Sequence, residues 1–116
     1  YDDGTIGDSH FNTTPDLCSR SWVSKYVDGN GNNCRQELDF YLDRTGVDYT
    51  TVYRYDGSKD VFEYHFTWSW NNQKQTSIRM AYGYNDISYL DEVIISGNSL
   101  SGNLDGYDNF VVFYGY

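Results

Sequence analysis

The chain has 116 residues, enough for one hydrophobic core and too few for two. Eight Lys and Arg stand against 17 Asp and Glu, a formal charge of −9, which disfavours unguided attraction to nucleic acid or anionic lipid and favours a cationic or neutral partner. One proline, eleven glycines, six Phe and thirteen Tyr suit many strands joined by tight turns better than a helical bundle.

Residues 1–13 mix Asp, Gly, Ser and Thr without periodicity and are expected to form an irregular arm on a single domain spanning 1–116. Thr14-Pro15-Asp16 then carries the signals of a helix start: a hydroxyl cap, proline at the first helical position and an acid in the first turn. Leu17, Cys18, Trp22, Val23, Tyr26 and Val27 follow on one helical stripe, ended by Asp28-Gly29-Asn30-Gly31-Asn32. A second helix is expected over 34–44, where Leu38, Tyr41 and Leu42 fall at helical spacing; Leu38, Phe40 and Leu42 also alternate, as in a strand.

After Gly46 the period becomes two. Tyr49, Thr51, Tyr53 and Tyr55 share one face of a strand over 47–55, and Asp56-Gly57-Ser58-Lys59 makes a hairpin turn. The clearest strand follows: Phe62, Tyr64, Phe66, Trp68 and Trp70 occupy every even position, with Glu63, His65, Thr67 and Ser69 between them, so the rings fall on one face and the polar groups on the other. Asn71-Asn72-Gln73-Lys74 turns the chain into a strand with Ile78, Met80, Tyr82 and Tyr84 alternating, and 87–95 and 109–116 supply two more. The Ser-Gly-Asn echo across 96–103 is expected to be a loop. The expected fold is therefore α+β, two short N-terminal helices packed on an antiparallel sheet of about five strands, with an all-β sandwich as the alternative.

Cys18 and Cys34 are the only cysteines. In a Tyr- and Asn-rich acidic chain they are expected to form a disulfide closing a loop of about 16 residues, worth roughly 3 kcal/mol in the chain-entropy model. With the glycosylation sequon at Asn12 and a first residue, Tyr1, other than Met, this points to a secreted, extracellular protein. No apolar run approaches the roughly 20 residues of a membrane helix, so membrane insertion is not expected.

Three functional readings arise. Aromatic residues in excess of what a small core can hold, among them Trp70, Tyr84, Tyr89, Tyr107, Tyr114 and Tyr116 near strand ends or turns, suit a monomeric binding domain whose rings stack on a glycan or cell-surface component. This is the leading expectation, a carbohydrate-binding protein, which leans away from an enzyme; a microbial toxin or host-directed effector is a further class that composition does not separate from it. The alternative is a metal-independent phosphodiesterase, the one reading with a nucleic-acid partner. Glu63 and His65 are the acid/base pair a strand presents side by side, and if Arg54 and Arg79 share their face a guanidinium can hold phosphate. Helices first and sheet after, with Glu, His and Arg on the open face, is similar in layout to small secreted microbial ribonucleases, although no stretch repeats their motifs and only His10 is left as a second histidine. No cofactor is expected beyond a calcium ion at Asp28, Asn30 and Asn32, whose alternating oxygens begin as a calcium loop does before Asn33 departs from the pattern.

Overall fold

A computed structural model describes residues 13–106 and 108–116. One short helix, α1 (Thr14–Cys18), precedes eight strands: β1 (Trp22–Val27), β2 (Asn33–Phe40), β3 (Thr45–Tyr53), β4 (Lys59–Trp70), β5 (Ser77–Gly83), β6 (Asp86–Ser96), β7 (Ser99–Leu104) and β8 (Phe110–Gly115). Each strand pairs antiparallel with its neighbour in sequence, and β8 returns to β1, so the sheet closes into an eight-stranded up-and-down barrel.

This overturns the expected α+β layout, and the two-sheet sandwich as well. The segment 34–44 is β2 and a turn, with Cys34, Leu38 and Phe40 pointing inward by alternation. The first helix stops at Cys18, and Trp22 onward is β1, because pairing with both β2 and β8 satisfies backbone groups that a lone amphipathic helix would leave on the surface. The expected loop over 96–103 is the end of β6, a tight turn at Gly97-Asn98 and β7. With the helical layer gone, the likeness in layout to microbial ribonucleases goes too. The arm expected over 1–13, apart from Thr13, lies outside the described residues, as do the sequon residue Asn12 and His10.

The barrel consists of two four-stranded halves, β1–β4 and β5–β8, joined at two short seams. One seam runs from Thr67↔Ala81 to Trp70↔Ile78, the other holds only Trp22↔Gly115 and Val23↔Tyr114, extended by mutual backbone bonds between Ser21 and Tyr116. Both seams lie at the same end. That end is packed solid: Trp22, Phe40, Phe66, Trp68, Ile78 and Leu100 are buried, and α1 caps them with the fully buried Leu17. Phe40 meets Phe66 and Trp68 edge to face at 5.5 and 5.7 Å, and Trp68 meets Trp70 at 5.8 Å. The three indole N–H groups donate to the Leu17 carbonyl, the Tyr41 carbonyl and the Thr14 hydroxyl at 2.9, 3.1 and 2.8 Å, so the cap is tied to the rings it covers. Away from this end the first half of β4 has its partner only in β3, and the two halves part.

Gly46 is required at the closed end because it pairs with Phe66, whose ring lies over its Cα; an added Cβ would run into that ring and come within 2.7 Å of the Asp39 carbonyl. Gly46→Ala should therefore cost about 1–3 kcal/mol in chemical denaturation. Combined with Phe66→Leu the loss should be smaller than the two single losses added, since the same clash is relieved.

Three turns are fastened by aspartates. Asp28 Oδ1 accepts the backbone N–H of Asn30 and Asn32 at 2.9 Å, Asp43 Oδ1 accepts from Thr45 N–H and hydroxyl, and Asp56 Oδ1 accepts from Ser58 N–H and hydroxyl. These bonds hold the three carboxyls below the usual range: for Asp28 chiefly the Asn32 backbone N–H, for Asp43 and Asp56 chiefly the Thr45 and Ser58 hydroxyls. A depressed folded value gives stability that is complete above the unfolded value of about 4 and is lost as pH falls through the folded one. Unfolding monitored from pH 6 down to pH 2, a range of roughly four units around those values, should show falling stability below about pH 4, with a shallower slope in Asp43→Ala and Asp56→Ala.

Candidate functional site

Register decides what each face of the barrel carries. The β3–β4 hairpin pairs Gly46 with Phe66, Asp48 with Tyr64 and Thr50 with Phe62, so the even positions of β3 join the rings of β4 inside. Tyr49, Thr51 and Tyr53 consequently face outward, the reverse of the parity that would place Arg54 beside Glu63.

At the closed end the inward side chains are large; toward the other, small or polar ones are interspersed among them: Ser24, Gln36, Asp48, Thr50, Ser88 and Gly102. A cavity of about 370 Å³ lies there, opening toward the parted ends of the strands. Its apolar wall is Leu38, Met80, Leu90, Leu104 and Phe113, and Gln36, Asp48, Tyr64, Tyr82, Asp86 and Ser88 supply its polar groups. Phe62 and Tyr64 stand half-exposed on the taller β4 wall, stacked with centroids 6.3 Å apart and planes 5° from parallel, so the apolar lining continues to the mouth.

Asp48 is the centre of the polar group. It is only 5% exposed, with Gln36 Nε2 and the Tyr82 hydroxyl donating to Oδ2 at 2.9 Å each and the Thr50 hydroxyl donating to Oδ1 at 3.0 Å. The Tyr82 bond joins two residues that line the cavity, on β5 and β3, and ties one half of the barrel to the other. Burial, then the charge of Asp48 and the bond to it, holds the Tyr82 phenol far above its usual value, so it stays a donor. Sequence reasoning missed this site. Its only signal was an acid inside an otherwise apolar-aromatic strand pattern, legible once the hairpin register is known.

The residues of the phosphodiesterase reading are not brought together. His65 Nε2 and Glu63 Oε2 are 2.7 Å apart on the outer wall, with 71% and 51% of their side chains exposed. Arg54 instead bonds Asp60 through Nε at 2.8 Å at the hairpin tip. Arg79 lies opposite Ser69, four residues along β4 from His65, about 13 Å at the rise of a strand. His65 borders a shallow outer groove with Tyr41, Thr67 and Ala81, to which neither arginine contributes. The pair sits among acids: Tyr49, between Glu37 and Glu63 in the register, has its phenol raised chiefly by Glu63.

The residues of the glycan platform are dispersed as well. Tyr84 is in the β5–β6 turn at the open end, Tyr89 and Tyr114 lie on the outer walls of β6 and β8, and Tyr116 and Trp70 are at the closed end, where Trp70 bonds Thr14. Tyr107 lies outside the described residues. Asp28 uses Oδ1 on the backbone of Asn30 and Asn32 to close the β1–β2 turn, and no group of three or more side chains suited to hold a metal ion occurs among the described residues.

The expected disulfide is absent, and geometry excludes it. Cys18 lies in α1 at the closed end, whereas Cys34 points inward near the open end, six residues and about 20 Å along β2 from Phe40, which borders the same hollow as Cys18. Compared with protein-family models, with curated proteins and with solved structures, the chain matches none.

Both thiols are held above the usual value, chiefly by burial, and Cys34 further by the nearby Asp28. Unreduced protein should therefore yield both thiols to Ellman's reagent in denaturant. In the native state Cys18 should react first and Cys34, 3% exposed, only on opening. A single mass consistent with a closed disulfide would overturn this assignment.

Proposed function

We propose that this chain is a non-catalytic binding domain that takes one small molecule into the open half of its barrel. The observation that carries the reading is the cavity itself: eight strands enclose just enough space to be filled by side chains or to hold one small ligand, and here one end is filled and the other is not. A volume of about 370 Å³ is at the small end of ligand sites, room for a ring system with a short arm. An apolar wall with a few convergent polar groups is the usual make-up of such sites, the wall giving affinity and the polar groups orientation. The exposed Phe62–Tyr64 stack gives a flat ring, aromatic or sugar, a surface on entry, which is the form the carbohydrate reading takes in this fold. Acid/base chemistry is not part of the reading, because the one close Glu–His pair among the described residues is on the outer wall, away from the cavity.

Titration with the uncharged dye N-phenylnaphthylamine tests this. Its fluorescence should rise saturably at one dye per chain and fall to the baseline in Leu104→Trp and Ser88→Phe, two substitutions that fill the cavity from different strands, while circular dichroism is unchanged. Equal binding by the filled variants would place the dye elsewhere and overturn the reading.

A further inference from the structure

Given a ligand in the cavity, as proposed above, the charge pattern of the barrel decides its class. All eight Lys and Arg lie within the described residues, and none lines the cavity. Lys25, Arg35, Lys59 and Arg79 have the outward register on β1, β2, β4 and β5. Arg20 and Arg44 sit over the Trp22 and Trp68 rings at the closed end, Lys74 is in the β4–β5 turn there, and Arg54 is bonded to Asp60. Among the described residues the ionisable groups that line the cavity, apart from tyrosines, are two acids: Asp48 buried in its wall and Asp86 at its exposed mouth. A carboxylate offers about four acceptor positions, and described residues take three on Asp48, which among them leaves one on Oδ1. A buried acid with donors but no counter-charge is completed best by a cation that also donates a hydrogen bond.

We infer that the ligand is a protonated amine on a flat apolar body, its nitrogen held by Asp48 and Asp86 and its body lying along Leu38, Met80 and Phe113. The tyrosine faces of the cavity suit this class, since a ring face attracts an ammonium group. An organic anion would meet two carboxylates and no compensating cation.

Calorimetric titration of the full chain at low ionic strength with phenethylamine, phenethyl alcohol and phenylacetate compares one ring bearing a cation, a neutral hydroxyl and an anion. The amine should bind at least about tenfold more tightly than the alcohol, and the acid least of all. Asp48→Asn should remove the amine's advantage and leave the alcohol's affinity in place. Asp86→Asn, at an exposed position on which folding does not depend, should narrow the advantage and serves as the second variant should Asp48→Asn fail to fold. If the dye binds and the alcohol matches the amine, or the amine does not bind, the cation assignment falls and the cavity reading stands. Failure of both amine and dye overturns the two together.

Discussion

The whole arrangement depends on where the two seams of the barrel are closed. Each half is a well-paired antiparallel sheet, but the halves meet through four paired positions on one side and two on the other, all at one end. Pairing at that end draws the walls close enough for Phe40 to meet Phe66 and Trp68 edge to face in one core with Trp22, and α1 seals what remains. Absence of β4–β5 pairing beyond Thr67 lets the walls part at the other end. The hydrophobic core and the cavity are thus two consequences of one pairing pattern. Stabilising contacts concentrate at the closed end, and the end proposed to receive a ligand is the end with fewest of them, as expected of binding regions in general.

Alternation then distributes charge. In a closed barrel every strand residue faces either the interior or the water, so one parity choice per strand settles the electrostatics of the interior. That choice sends the strand lysines and arginines outward and brings Asp48 in. A buried carboxylate without partners would be costly, and Gln36 on β2, Thr50 on β3 itself and Tyr82 on β5 supply its donors. Tyr82 has a second role, because its bond to Asp48 is made between the halves at the level where their backbones no longer pair.

How much of this was legible in the sequence follows from which signals are local. The β4 ring ladder and the turns expected at 56–59 and 71–74, which fall at 54–58 and 71–76, were legible because alternation and turn chemistry need no distant partner. β1 and β2 were misread because Trp22, Val23, Tyr26 and Val27, like Leu38, Tyr41 and Leu42, satisfy a helical stripe when taken alone; the pairing of β1 with β8, some 90 residues away, decides otherwise. β7 was taken for a loop since Ser99, Ser101, Gly102 and Asn103 are poor strand formers, and closure of the barrel supplies what propensity lacks. The candidate site was lost to a single parity choice. Four tyrosines and threonines at odd positions of β3 look like the partners of the β4 rings, but the hairpin register matches even with even, which turns them out and turns Asp48 in.

That register also explains why a barrel so rich in rings is hollow. Opposite Phe66 stands Gly46, opposite Tyr64 stands Asp48 and opposite Phe62 stands Thr50, so each large ring of β4 faces a small or polar residue on β3. At the closed end the vacancy over Gly46 is taken by the Phe66 ring itself. Farther up, Tyr64 and Phe62 stay half-exposed on the taller wall and do not fold down over Asp48, because β5 ends before it can support them from the other side. A ring supplied from solution has the contacts that these two lack: an apolar floor on β5–β8, a stacked pair above it, and an acceptor between. In this fold, then, the unfilled volume is lined by the buried carboxylate of Asp48, and the amphipathic cation proposed above would answer to both.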